Sequence, residues 1–362
     1  MNELSIIPFP TGAESNGFIA ALASATMPCL GFSADTPYWC GPKGSYCIHC
    51  KNNCDTMVRH QEMLYYTFLT ACGMAFGFDY PEDDSADFHT IPGIETGWRW
   101  EESFLSNLMD FAGLSYKRYS HKSASDMQEA LRLAIDNGYP ALCADTEELT
   151  EDGAWSCCWN VVYGYTREGI CVMHHGGQTF TETDTEYNDW ILITGKATRR
   201  QTYRDVLERI YRVLTDPSHD ALEKKICEEL SNVTEENAQE ISCKIMKINR
   251  VLIEGRAYAG EVFCSCDNLL CALTDDQALK NRLKELFFSR YIKNDNGETH
   301  GTGWKIWHTL QAGPQTGYLP VEASFALIRQ KKVQDKLRRL FQIVFENDRM
   351  VAKGLKEVLD AG

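Results

Sequence analysis

Positive charge is in short supply in this 362-residue chain: 36 Lys and Arg face 51 Asp and Glu, a net charge of -15. A phosphate backbone or an anionic membrane surface is bound by clustered Lys and Arg. The composition therefore argues against nucleic-acid and membrane partners. Long apolar runs are missing too, and none approaches the roughly 20 residues of a membrane span. The apolar stretch 18–30 has no basic flank, because Glu3 stands near the start and the first basic residue is Lys43. It is not read as a secretory signal. Strand alternation is absent after about residue 199, and no internal repeat is visible. The glycine-rich His300-Gly301-Thr302-Gly303 lacks a preceding strand and a following Lys-Ser/Thr, so it is not a phosphate loop.

What is present is ordinary globular material, 44% hydrophobic and 24% charged, in a chain long enough for two cores. Cysteine is the exception, at fifteen residues. Without a secretory signal these read as reduced thiols and metal ligands, and the protein is expected in the cytoplasm. Residues 38–55 hold Cys40, Cys47, Cys50 and Cys54, with His49 among them. Cys47 and Cys50 form a Cys-x2-Cys pair, which points two thiolates inward from one turn, as zinc requires. A structural zinc site on Cys40, Cys47, Cys50 and Cys54 is the expectation. Free thiols, a disulfide, an iron–sulfur cluster or buried cysteines in a turn-rich loop are its competitors.

The first half alternates helix and strand signals. Residues 1–10 hold room for one short strand. Residues 16–27 are small and helix-favouring, with Asn16 as N-cap. Residues 60–78 carry Leu64, Tyr65, Phe68, Leu69, Cys72 and Met74 on one face, and 79–90 form an acidic loop. A second aromatic stripe covers 98–112. Ser125-Asp126-Met127-Gln128 reads as a capping box and Asn137-Gly138 as a helix stop, with a strand at 139–143. Residues 159–163 and 170–173 flank the polar turn 166–169, a hairpin signature; a polar acidic loop then leads to a strand at 190–194.

From Arg199 onward only helical periods remain: 203–214, 221–230 and 235–264, then Thr274-Asp275-Asp276-Gln277 as a capping box opening a helix to Tyr291. A last stretch runs from Pro320 to Leu359. Five or six helices in a bundle are expected, with the domain break near 197–202.

The string from Trp155 to Thr194, with a strand ending in Gly164-Tyr165 and a second strand after it, resembles the papain-like cysteine peptidases. The resemblance is especially to their C39-like branch, including the butirosin-biosynthesis H type, which carries a helical C-terminal domain and transfers acyl groups to small molecules. The resemblance implies an α+β papain-like domain over residues 1–198, with a Cys-rich insertion at 38–55, followed by an all-α helical-bundle domain over 199–362. It also implies a site. The family's nucleophilic Cys opens the first helix, where Gly17 stands before Phe18, and Thr11 falls at the position of the oxyanion Gln. The family's His lies six residues before the strand's Gly, where this chain has Cys158. The orienting Asn or Asp falls at His174, beside His175.

Three readings follow. In the first, a pseudoenzyme has lost the Cys-His-Asn triad and binds a peptide or small metabolite in a cleft lined by Thr11, Asn16, Gly17 and His175. In the second, Cys158 and His174 form a relocated dyad of an amide hydrolase or acyltransferase. In the third, Cys157 or Cys158 joins His174 and His175 in a metal site.

Overall fold

The structure, a computed structural model, describes residues 2–4, 6, 17–30, 60–77, 104–144, 159–173, 179–265, 268–292, 305–306, 309–310 and 321–361. These fall into two compact units. One holds the described residues up to Phe68 and 104–201, the other Leu69 to 77 and those from Thr202 on.

The first unit is built on an antiparallel sheet. Its strands are β1 (Asn2–Glu3), β2 (Leu114–Ser123), β3 (Ala141–Ala144), β4 (Trp159–Tyr165), β5 (Ile170–Met173), β6 (Thr179–Glu182) and β7 (Glu186–Lys196). The spatial order is β2-β7-β3-β4-β5-β6, with β1 paired to β4 through Asn2↔Tyr165 and Glu3↔Gly164. The expected hairpin is β4–β5, and the expected strand at 190–194 lies inside the longer β7. The acidic loop placed between them by sequence contains β6, an edge strand whose side chains are all exposed or half-buried. Neither β6 nor β2 was expected, because both are polar end strands without an apolar run.

Helix α1 (Gly17–Cys29) is buried along nearly its whole length and packs on β3 and β4. Helices α2 (His60–Ala71) and α3 (Phe104–Ala112) follow. Helix α2 stops short of the expected residue 78, since the chain turns at Gly73 with φ +83°. Helix α4 (Ala124–Asp136) covers the sheet with Met127, Leu131 and Ala134 set on Ala141, Val162, Val172, Trp190 and Leu192. Its capping box is not the expected Ser125–Gln128. Ser123 is the N-cap, its Oγ accepting from the Asp126 amide at 3.1 Å while the Asp126 carboxylate accepts from the Ser123 amide. Asp at the third helical position makes the reciprocal bond that the sequence reading assigned to Gln128.

The second unit has no strand among its described residues. It holds α5 (Tyr203–Thr215), α6 (Pro217–Ser231), α7 (Ala238–Cys264), α8 (Gln277–Phe287), α9 (Val321–Ile328) and α10 (Lys331–Ala361). Helix α6 starts earlier than the expected residue 221, at Pro217, with Asp216 as N-cap accepting from the Ser218 amide. Proline suits that first helical position, where its missing N–H would have no helical partner. Helix α8 is capped by Asp276, which accepts from the amides of Ala278 and Leu279, and not by Thr274. The expected terminal stretch is two helices, α9 and α10. No described helix is long and apolar enough to cross a membrane.

Candidate functional site

Gly17 is the first residue of α1. The next residue, Phe18, meets Trp159 at the start of β4 edge-to-face, with ring centroids 5.0 Å apart, and both side chains are buried. Such a contact between two buried rings locks the start of the helix to the start of the strand. β4 pairs with β3 through Trp159↔Ala144 and with β5 through Val161↔Met173. The first residue of β4 and the last of β5 therefore lie at one end of the sheet. Gly17 brings no functional group there.

Thr11, Asn16, Cys158, His174 and His175 lie outside the described residues, as do Cys40, Cys47, Cys50 and Cys54. Cys158 is joined directly to Trp159 and His174 to Met173, at neighbouring strand ends. Asn160, one residue into β4, is 3% exposed, and its Oδ1 has no hydrogen-bond partner among the described residues. Buried polar atoms without partners are rare in proteins and tend to sit where a ligand or water completes them.

Five of the thiols within the described residues are shifted away from reactivity. Burial pushes Cys29 and Cys72 up to about 12, the latter at the turn after α2. Burial also raises Cys143 on β3, Cys171 on β5 and Cys227 on α6. An activated cysteine needs the opposite shift. Among the described residues no group of three or more His, Cys, Asp and Glu side chains is placed to hold a metal ion.

The helical unit holds a charged cluster that the sequence reading did not single out. Asp348 on α10 is fully buried. Its Oδ2 accepts from Arg256 Nη2 at 2.6 Å and from His219 Nε2 at 2.9 Å. Its Oδ1 accepts from the Tyr291 hydroxyl at 2.8 Å and from Arg256 Nε at 3.3 Å. Arg256 also donates to the carbonyls of Ala75 at 3.2 Å and Phe76 at 2.9 Å. Burial alone would raise the Asp348 carboxyl, but the Arg256 guanidinium and the His219 ring outweigh it and hold it at about 2. Burial and the neighbouring Asp348 carboxylate push the Tyr291 phenol well up.

Each partner comes from a different element: His219 from α6, Arg256 from α7, and Tyr291 from a π-type turn (Phe288–Ile292) extending α8. A signal for the cluster was legible. Asp348 stands in the apolar stripe Val344, Phe345, Val351, Ala352 and Leu355, a position where helical periodicity calls for a hydrophobe. With both oxygens saturated and no exposure, the cluster ties helices together and offers no open valence for catalysis. No protein-family model matches the chain, and no curated protein matches it.

Proposed function

We propose that the first unit is a papain-like scaffold of the C39-like kind that has lost its Cys-His-Asn triad and binds a peptide or small metabolite in the former active-site cleft. One observation carries this reading: α1 opens on Gly17 while Phe18 keeps an edge-to-face contact with Trp159 at the head of β4. On this reading the junction between helix and strand is kept and the nucleophile is lost. Glycine has no side chain to attack a carbonyl, and Cys158 is a poor general base near neutral pH. Thr11, Asn16, Gly17 and His175 are the residues proposed to line the cleft.

A second reading has Cys158 as nucleophile with His174 as its base, in an amide hydrolase or acyltransferase. It draws on the neighbouring strand ends Trp159 and Met173, to which the two residues are joined. Iodoacetamide labelling at pH 7 with mass mapping separates the two. Slow labelling of Cys158, unchanged in His174→Ala, is the expected outcome. Rapid labelling that collapses in His174→Ala overturns the pseudoenzyme reading and establishes the dyad.

We further propose that Cys40, Cys47, Cys50 and Cys54 hold one structural zinc, since four thiolates are a donor set that zinc favours. Protein purified without chelator is expected to carry about one equivalent of metal. Full metal content in the Cys47→Ser/Cys50→Ser variant would reject this assignment.

A further inference from the structure

In a chain of net charge -15, one short run is strongly basic. Six of the eleven residues 329–339 are Lys or Arg, against the single acid Asp335. They straddle the start of α10, whose first turn carries Lys331 and Lys332 and no acid. Helix stability does not ask for them there. A helix N-terminus is the positive end of the macrodipole and favours acids, and like charges one turn apart repel. Val333, Leu337 and Leu340 are buried, so the cations are what this stretch of α10 shows to water. Lys332, Lys336 and Arg339, four and then three residues apart, share one exposed face. Lys332 and Lys336 have no ion-pair partner among the described residues. Arg339 reaches Glu346 at 3.5 Å with 63% of its side chain exposed. The other cations are occupied: Lys331 and Arg338 by Asp335, and Arg329 by Glu235 at 3.2 Å.

Cations held at a helix end that disfavours them are stabilised when an anion binds beside them. We propose that this face of α10 docks an extended acidic segment of a partner protein. The spacing suits one. Lys336 and Arg339 stand about 6 Å and about 10 Å along the helix from Lys332, at ~1.5 Å per residue. Side chains on one side of an extended segment recur every ~6.6 Å, so successive carboxylates meet successive cations. The size of the face selects against other anions. Charges are felt over about 8 Å at physiological salt. A segment of a few residues senses this face alone, while a nucleic-acid strand extends beyond it onto a chain whose overall charge is negative. The apolar side of α10 is already buried, which leaves no amphipathic face for a membrane.

The test uses the full chain and a fluorescein-labelled decapeptide of alternating Glu and Ser, read by fluorescence anisotropy. Binding that weakens as salt is added is expected. Lys332→Glu/Lys336→Glu is expected to weaken it about tenfold or more. The melting temperature of that variant should hold or rise, because acids suit the first turn of a helix. Lys353→Glu/Lys356→Glu, exposed near the far end of α10, changes the net charge equally and should leave binding within about twofold. Carbodiimide coupling should join peptide carboxylates to Lys332 or Lys336, located by mass mapping. The proposal is overturned if the first double variant binds as the parent does, if the second weakens binding as much, or if an alternating Lys-Ser peptide binds equally well. A single-stranded oligonucleotide that binds more tightly than the acidic peptide also overturns it, as does a dimer in sedimentation that Lys332→Glu/Lys336→Glu dissolves.

Discussion

Between β4 and α4 the interior is filled by Val162, Leu131, Leu192 and Trp190, while at equal depth in the helical unit stand Asp348, Arg256 and His219. In the sheet unit, the strand ladder and bonds between neighbouring strands hold polar groups. Trp190 Nε1, for example, donates to the Lys122 carbonyl at 2.8 Å. In the helical unit each helix satisfies its own backbone, so nothing in the ladder sense joins one helix to the next. A buried ion pair with directional bonds to three elements supplies that registry. Such a pair adds little net stability over a packed hydrophobic core, yet breaking it by removing one partner is costly. The sheet unit should therefore respond to mutation in proportion to volume, the helical unit in proportion to uncompensated charge.

The largest expected effect tests that contrast directly. Asp348→Ala leaves the Arg256 guanidinium buried without its counter-charge and should cost about 3–5 kcal/mol, measured by urea denaturation. If its cost does not exceed that of a core Ile→Val substitution in the sheet unit, about 1 kcal/mol, the contrast fails.

Acid comes next. Because the Asp348 carboxyl is held at about 2 in the folded protein, its contribution is present above the unfolded carboxylate range near 4. That contribution is lost as pH falls from about 4 toward 2, and amounts to about 2–3 kcal/mol. Denaturation midpoints across this window should drop more for the parent than for Asp348→Asn.

Close packing around α7 provides a sharper test of volume in the helical unit. A Cβ built on Gly255 would lie 2.1 Å from the Ala75 carbonyl oxygen, a backbone atom that cannot swing aside. Gly255→Ala should cost about 1–3 kcal/mol despite the gain in helix propensity. A stabilised variant would mean that the 75–76 turn shifts freely and is not held by Arg256.

The smallest effect separates two serines only two residues apart. Ser123→Ala should cost about 1 kcal/mol through loss of the α4 cap, whereas Ser125→Ala should cost a few tenths at most. Equal costs would restore the capping box as read from sequence.

Much of this was legible in the chain itself. The β4–β5 hairpin announced itself because its apolar runs are broken by the polar turn Thr166–Gly169, and local chemistry decides a hairpin. Helices α5, α7 and α10 were visible for the same reason: an apolar stripe at helical period needs no knowledge of its partner. The resemblance that placed Gly17 and Cys158 at catalytic positions also came from local patterns. What stayed hidden was set by tertiary surroundings. β2 and β6 are polar end strands whose conformation is imposed by β7 and β5, so their own sequences contain no apolar run to betray them. Ser123 and Asp276 won their caps over Ser125 and Thr274 because the chain's entry into each helix, not the motif spacing, decides which oxygen reaches the free amides. Asp348 could be seen as an acid in an apolar stripe, but His219, Arg256 and Tyr291 are 129, 92 and 57 residues away in sequence. Local sequence determines which segments can be helix or strand, since periodicity and caps act over a few residues. Which charges may be buried is decided only when distant segments meet, because a buried charge is tolerable solely where its partners converge.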